Sequence, residues 1–197
     1  MNLTHLLYLH GFRSSPASAK ARRMAAWAAE QPDLTFVCPQ LPPSPLEAMT
    51  LVTALVADWP SQGAAVIGSS LGGFYATWLA ERPAHRAWRV GVLNPAVDPA
   101  RDLARHIGTL TAWHDPTLQF DFTAEHVAEL AALTPPTRLT NPSRYYALIA
   151  KGDELLDWRG MLARYAGCDG EVLEGSDHGI TDFDAHLPGL AAFLRAA

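Results

Sequence analysis

The chain has 197 residues, of which 49% are hydrophobic and 18% charged, with a mean hydropathy of +0.01. This length and composition are typical of one folded domain with an ordinary core, and they exclude a mainly disordered chain. Fifteen lysines and arginines oppose 20 acidic residues, which gives a net charge of -5, and the basic residues are scattered. We therefore expect no nucleic-acid partner.

Cys38 and Cys168 are far apart and form neither a disulfide framework nor a zinc-binding pattern. The N-terminal residues lack the basic region of a secretory signal, and no apolar run approaches the ~20 residues of a membrane span. We therefore expect a cytoplasmic protein without a membrane span. The histidines other than His10 and His178 lack the close spacing of metal ligands, so we expect no metal and no other cofactor. They are His5, His85, His106, His114, His126 and His186.

Short apolar runs alternate with segments of helical spacing along the chain. The predicted strands cover residues 3–9, 35–38, 64–67, 89–93, 145–150 and 171–173. The predicted helices cover residues 18–30, 46–59, 71–81, 123–133, 155–165 and 185–195. This alternation predicts an α/β fold with a doubly wound, mainly parallel sheet and helices on both faces. A ligand site is expected at the carboxyl ends of its strands.

Residues 98–142 are predicted to be irregular apart from one helix, and a connection of this length is exceptional. Two interpretations remain open. The segment covers the ligand site, in which case Trp113, Phe120 and Phe122 line a substrate pocket, or it packs against the edge of the domain.

A G-x-S-x-G motif occurs once, at Gly68-Ser69-Ser70-Leu71-Gly72, and Ser70 is its central residue. The motif follows a predicted strand and opens a predicted helix, which is the context of a nucleophile elbow. The two outer glycines suit such an elbow because it holds the serine in a strained conformation close to its neighbours. The alternative is a Gly/Ser turn that caps the helix.

Two further residues follow predicted strands at the same sheet edge as Ser70. Asp153 comes just after residues 145–150, and His178 comes shortly after residues 171–173. The chain order Ser, Asp, His is that of the α/β hydrolases. In this reading Ser70 attacks a carbonyl, His178 takes and returns the proton, and Asp153 fixes the imidazole tautomer.

Each of these residues also has a structural interpretation, since Asp153 could cap a helix and His178 could be a turn histidine. The occurrence of all three residues at one sheet edge favours a catalytic triad over three separate structural roles. The competing acids are Asp157, Asp177 and Asp182. Asp157 falls inside a predicted helix, and the side chain of Asp177 should point away from that of its neighbour.

An oxyanion hole needs two backbone N–H groups, which we expect from Leu71, after the candidate nucleophile, and from Phe12, in the loop after the first strand. His10 in that loop is expected to be a structural hydrogen-bonding residue. Arg13 is a candidate for binding a substrate phosphate or carboxylate. Arg22-Arg23 is interpreted as the polar face of a helix.

Several stretches resemble the YqiA-type esterases, small bacterial members of the α/β-hydrolase superfamily. They are Tyr8-Leu9-His10-Gly11-Phe12, Ser14-Ser15-Pro16, Pro39-Gln40-Leu41-Pro42-Pro43, the run from Gly68 to Trp78, Asn94-Pro95-Ala96 and Gly152-Asp153-Glu154. The resemblance implies one compact α/β-hydrolase domain over residues 1–197, with six mainly parallel strands in the order 2-1-3-4-5-6 and no separate lid domain. It also assigns the triad to Ser70, Asp153 and His178.

The predicted function is hydrolysis of a small-molecule carboxylic ester through an acyl-enzyme on Ser70. The resemblance implies short acyl esters and extends to acyl-CoA thioesters. Two alternatives remain open, because a fold does not choose its leaving group. They are a thioesterase or small peptidase with the same triad, and a catalytically silent protein that binds a ligand in the same pocket.

Overall fold

A computed structural model describes residues 2–196 of the chain. Its strands are β1 (His5–Leu9), β2 (Thr35–Val37), β3 (Ala64–Ser69), β4 (Arg89–Leu93), β5 (Gly108–Thr111), β6 (Gln119–Phe122), β7 (Tyr145–Ala150) and β8 (Asp169–Leu173). Its helices are α1 (Ala19–Ala29), α2 (Pro45–Leu55), α3 (Leu71–Ala80), α4 (Pro99–Leu103), α5 (Ala124–Ala132), α6 (Trp158–Arg164) and α7 (Phe183–Arg195).

Six of the strands form one parallel sheet in the order β2-β1-β3-β4-β7-β8. The expected order 2-1-3-4-5-6 is therefore confirmed, because β7 and β8 are the fifth and sixth predicted strands. Pairing in register brings Leu9 beside Gly68 and Ser69 beside Leu93. The carboxyl ends of the central strands consequently lie level at one edge of the sheet.

Side chains on the two faces of the sheet form two separate cores, as expected for a sheet covered by helices on both sides. Leu7 and Leu9 of β1 pack with residues of α2 and α3, whereas Leu6 and Tyr8 pack with residues of α1 and α7. This alternation follows from the two-residue period of a strand. All six residues of β3 are buried, so the strand that carries the G-x-S-x-G motif is fixed from both faces.

The prediction for residues 98–142 was incomplete, since the structure contains more regular elements there than one helix. β5 and β6 form an antiparallel hairpin, α4 precedes it and α5 follows it. The pattern of β6 has a two-residue period: Phe120 is partly buried, Asp121 is exposed and Phe122 is 1% exposed. That alternation is the signal that predicts a strand, but it extends over only four residues.

The predicted helix at 155–165 begins later than expected, at Trp158. Asp157 is therefore not inside the helix but is its N-cap, and its Oδ1 accepts a hydrogen bond from the Arg159 N–H at 3.0 Å. Within residues 2–196, no helix combines the length and hydropathy that a membrane crossing needs.

A buried ion pair joins Arg144, which directly precedes β7, to Glu81, the C-cap of α3. Arg144 donates to Glu81 Oε1 at 2.6 Å and to the carbonyl oxygen of Ala80 at 2.8 Å, and Tyr145 donates to the same Glu81 oxygen at 2.6 Å. Both charged side chains are at most 6% exposed. Because the pair is buried and hydrogen-bonded, removing one partner alone would leave an uncompensated charge.

Candidate active site

Ser70 lies in a sharp turn between β3 and α3. Its φ is 55°, a value that residues other than glycine rarely adopt. The turn is possible because the residues two positions before and two positions after Ser70 are glycines. A Cβ added to Gly68 would lie 2.0 Å from the Gly72 carbonyl oxygen, and one added to Gly72 would lie 2.0 Å from the Leu9 carbonyl oxygen. The structure therefore has the strand-turn-helix geometry expected for this motif.

The side chain of Ser70 begins a chain of two hydrogen bonds. Its Oγ lies 3.1 Å from Nε2 of His178, and Nδ1 of His178 lies 2.7 Å from Oδ2 of Asp153. The buried carboxylate accepts from Nδ1, so in the neutral imidazole Nε2 is the acceptor for the serine hydroxyl. This arrangement can remove a proton from Ser70 and stabilise the resulting imidazolium.

The two oxygens of Asp153 have different tasks. Oδ1 accepts from the backbone N–H groups of Leu155 and Leu156, each at 2.8 Å, while Oδ2 faces His178. The carboxylate side chain is 0% exposed. Asp153 therefore both caps the turn that follows it and contacts the imidazole, and the two backbone bonds fix the orientation of the carboxylate.

The competing acids bind other partners among the described residues. Asp177 accepts from the Thr181 N–H at 3.1 Å, Asp157 caps α6, and Asp182 accepts from Ser176 at 2.5 Å. Asp182 also lies 3.2 Å from a ring nitrogen of His186. Of these four acids, Asp153 is thus the one whose carboxylate lies against His178.

The loop after β1 lies directly against the candidate nucleophile. A Cβ on Gly11 would be 3.2 Å from Cβ of Ser70, so this position requires the small residue that the chain has. Within residues 2–196, the backbone N–H groups of Phe12 and Leu71 donate no hydrogen bond to the protein. Both residues line one cavity together with Gly11, the residue against Ser70. They are therefore free to donate to an oxygen at this point.

His10 supports this loop, as expected from the sequence. It is 3% exposed, its Nε2 accepts from the Leu41 N–H at 3.1 Å, and its Nδ1 donates to the Gly11 carbonyl oxygen at 3.0 Å. Burial lowers the pKa of His10, so the ring stays neutral and keeps both bonds.

Two cavities meet at the loop of residues 10–14. The larger, of about 810 Å³, is lined by Ser70, His178, Arg13 and Trp113, and the smaller, of about 270 Å³, is lined by Phe12, Leu71 and Phe120. A ring of the β5–β6 hairpin therefore lies at each cavity.

Phe122 does not belong to this lining. It is 1% exposed and packs edge-on against Phe12, with ring centroids 5.0 Å apart. The residue expected in the pocket is instead part of the core, because β6 turns its side chain inward. The packing interpretation of the 98–142 segment therefore holds for Phe122, while Trp113 and Phe120 line the two cavities.

Arg13 connects the loop to the hairpin. Its Nε donates to the Thr111 carbonyl oxygen at 2.8 Å, and its own carbonyl oxygen accepts from the Trp113 N–H at 2.9 Å. The guanidinium also lies over the Trp113 ring, 5.2 Å from its centroid. Arg13 has a φ of 59°, so this loop is a second point of backbone strain beside the site.

Asn94, for which the sequence had suggested no role, joins the end of β4 to the end of β7 and to the loop that carries His178. Its side chain is fully buried at the end of β4, with a φ of 41°. Oδ1 accepts from the Ala150 N–H at 2.7 Å, and Nδ2 donates to the carbonyl oxygens of Asp177 and His178 at 2.9 and 3.1 Å. An Asn directly after a buried strand, at the edge that carries the motifs, is the signal that could have identified it.

The other chemically reactive side chains make no second centre. Burial raises the pKa of Cys38 to about 12 and that of Cys168 to about 11, so both thiols stay protonated near neutral pH. Within residues 2–196, no cluster of three histidine, cysteine or acidic side chains has the arrangement of a metal site.

The parallel sheet, its strand order and the turn at Ser70 define the fold as that of an α/β hydrolase. Solved structures with this fold match nearly the whole chain. Mouse alpha/beta hydrolase domain-containing protein 10 is 16% identical, with a TM-score of 0.70, over 96% of this chain and 90% of its own.

Two further solved structures have the same fold. Est1E from Butyrivibrio proteoclasticus, with ferulic acid bound, is 16% identical with a TM-score of 0.70, over 98% of this chain and 87% of its own. The monoacylglycerol lipase of Paleococcus ferrophilus is 15% identical with a TM-score of 0.69, over 96% and 93%. The chain itself belongs to the Uncharacterised protein family (UPF0227), whose model matches residues 5–195. This match confirms the resemblance to the YqiA-type family.

Asn94→Gly should slow the reaction of Ser70 with a fluorophosphonate by about 10- to 100-fold, the scale expected when reacting groups are misplaced by about 1 Å. Glycine keeps the positive φ and removes only the side chain, so the backbone strain is not the variable. Labelling rates should be followed by intact-mass spectrometry on protein whose circular dichroism matches the parent.

Asn141→Gly is the matched control, since it makes the same substitution at a residue that caps the turn before β7, at the opposite sheet edge. Its labelling rate should equal that of the parent. An unchanged rate in folded Asn94→Gly would show that the histidine loop holds its position without Asn94.

Proposed function

We propose that the chain is a serine esterase that hydrolyses carboxylic esters through an acyl-enzyme on Ser70. One observation carries the proposal: Ser70, His178 and Asp153 form a continuous hydrogen-bonded chain, with 3.1 Å and 2.7 Å between the bonded atoms. These side chains come from three different loops at one sheet edge. A chance arrangement would not give each of them the partner that this reaction requires.

In the first half of the reaction, Ser70 Oγ attacks the ester carbonyl while its proton moves to Nε2 of His178. The Asp153 carboxylate stabilises the imidazolium that forms, and His178 then gives the proton to the leaving alcohol. In the second half, water takes the place of the alcohol, and the same imidazole activates it to release the acid.

Negative charge develops on the carbonyl oxygen in both halves. The N–H groups of Phe12 and Leu71, which have no protein acceptor among the described residues, are the donors that we assign to this oxygen. Leu71 is the first residue of α3, so the positive end of the helix dipole supports the same charge. Donors fixed in the backbone need no reorganisation when the charge forms.

The leaving group separates this proposal from its alternatives. The same attack serves thioesters such as acyl-CoA and, with more demanding proton transfer to nitrogen, small peptides. A panel of esters, acyl-CoAs and peptides distinguishes these substrates. Reaction with a fluorophosphonate excludes a catalytically silent binding protein. The cytoplasmic location expected from the sequence remains a prediction.

Ser70→Ala should lower kcat on a 4-nitrophenyl ester by at least about 10³-fold, because the nucleophile is lost while binding and the oxyanion donors remain. Ser69→Ala is the control, since Ser69 is the adjacent serine, is 9% exposed and has no place in the proton relay. We expect it to keep activity and fluorophosphonate labelling. Equal activities of the two variants would end the assignment of Ser70.

Asp153→Asn should lower kcat by about 10⁴-fold, because an amide favours the wrong imidazole tautomer. Asp157→Asn and Asp177→Asn make the same chemical change at acids that accept hydrogen bonds from backbone N–H groups. Their kcat should stay within a few-fold of the parent, measured on the same ester. A larger loss at either of these positions than at Asp153 would move the acid of the triad there.

The two phenylalanines of β6 should respond differently to truncation. Phe120→Ala enlarges the small cavity, so it should change the ratio of kcat/KM for butyrate and octanoate esters by up to about 1–3 kcal/mol per step in acyl length. Phe122→Ala leaves a core cavity and should destabilise the fold by about 3–5 kcal/mol in urea. An unchanged ester ratio in folded Phe120→Ala would exclude Phe120 from the acyl pocket.

A further inference from the structure

The large cavity beside Ser70 has a cationic wall, although the chain as a whole has a net charge of -5. Five lysine and arginine side chains line the cavity together with two aspartates. The cations are Arg13, Lys20, Arg22, Arg23 and Arg105, and the acids are Asp102 and Asp184. The local charge is therefore opposite in sign to the charge of the protein.

The two aspartates of this wall are already paired. Asp184 lies 2.5 Å from Nε of Arg23, and Asp102 lies 2.8 Å from Arg101, which is outside the lining. Within residues 2–196, the other four cations of the wall form no salt bridge. Lys20 interacts electrostatically with Asp177 and Asp153, so the positive charge left for a ligand to neutralise is that of Arg13, Arg22 and Arg105.

The four cations other than Arg23 approach the cavity from two sides. Arg13 and Arg105 lie on one side, near His106, where burial and these two guanidinium groups together lower the pKa of the imidazole. On the other side, α1 contributes Arg22 and also Lys20, whose ammonium donates to the Gly179 carbonyl oxygen beside His178. The candidate nucleophile lines the same cavity.

Arg13 is the cation best placed for direct recognition. Its Nε is used by Thr111, but its two terminal nitrogens donate no hydrogen bond to the described residues. The Trp113 ring under the guanidinium restricts its motion. A planar guanidinium with two free edge donors matches the oxygens of a carboxylate or phosphate.

We propose that the natural substrate is an ester that carries an anionic group, a carboxylate or a phosphate, which the cationic wall recognises. This inference rests on the proposed esterase function and adds the class of substrate to it. A volume of about 810 Å³ is large enough for such a molecule. Apolar side chains between the cations, including Leu103, Leu156 and Phe183, would contact its hydrocarbon part.

Matched pairs of esters test the proposal on the parent enzyme. The first pair is the 4-nitrophenyl monoester of adipic acid and 4-nitrophenyl hexanoate, which differ by a carboxylate at the end of the acyl chain. The second pair is 4-carboxyphenyl butyrate and 4-carbamoylphenyl butyrate, which differ by an anion on the leaving group. We expect kcat/KM of the anionic member to exceed that of its neutral partner by about tenfold or more in at least one pair.

Raising the salt concentration from about 0.05 M to about 0.5 M should reduce that ratio, because the charges are partly exposed and become screened. Inhibition of hexanoate hydrolysis by glutarate and by inorganic phosphate then tells the two anions apart. Stronger inhibition by one of them identifies the group that the wall prefers.

The variants Arg13→Gln, Arg22→Gln and Arg105→Gln should each lower the ratio of anionic to neutral kcat/KM, by about tenfold at Arg13 and about threefold at the two exposed positions. Arg86→Gln is the control. It makes the same charge change on an exposed arginine that precedes β4, at the opposite edge of the sheet, and should leave the ratio unchanged.

The outcomes separate the two proposals. If neither neutral nor anionic esters are hydrolysed, the esterase function fails. If neutral esters are hydrolysed but both ratios are near one, or if Arg86→Gln changes a ratio as much as Arg13→Gln does, the esterase function stands and the anionic substrate class is overturned.

Discussion

The close approach of α3 to the end of β1 is the contact on which the rest of the site depends. At Gly72 the two elements are so near that a single added Cβ would overlap the Leu9 carbonyl oxygen. This approach brings the N-terminus of the helix to the sheet edge, where Ser70 has a φ of 55°. The loop after β1 also lies against the serine, so that a Cβ added to Gly11 would be 3.2 Å from Cβ of Ser70. The positions of the candidate nucleophile and of both candidate oxyanion donors therefore depend on close backbone approaches at Gly11, Gly68 and Gly72.

The remaining two members of the candidate triad are held by hydrogen bonds between loops. Asn94 bonds to the end of β7 on one side and to the histidine loop on the other, while backbone bonds from Ser70 to Leu93 and from Ala96 to Ser70 join the serine to the same turn. Asp153 binds the turn that follows it with one oxygen and the imidazole with the other. The polar groups at this edge therefore satisfy one another, which limits the loss of free energy on burying them.

The sequence predicted the parts of this structure that are encoded locally or by strand order. Buried parallel strands are continuous apolar runs, and the residues after them must meet at one edge, so Ser70, Asp153 and His178 could be grouped without coordinates. The hairpin of β5 and β6 was missed because a four-residue strand contains only two repeats of the alternation between buried and exposed side chains. Phe122 was assigned to a pocket because the sequence does not show which face of that strand packs on Phe12. Arg22 and Arg23 were read as a solvated helix face, and only the tertiary arrangement shows that this face borders a cavity.

The link between Arg13 and the hairpin separates two kinds of position in this part of the chain. Residues 113 and 114 and residues 116–118, at the tip, are mostly exposed, and their side chains can differ in size and charge with little effect on the core. The hydrogen bonds between Arg13 and the hairpin use the main chain of Thr111 and Trp113, and the Trp113 ring adds a contact with the guanidinium. New side chains can therefore be presented to an incoming molecule while the backbone that orients Phe12 stays in place. Substitutions at the tip would therefore alter the lining of both cavities without displacing the candidate triad.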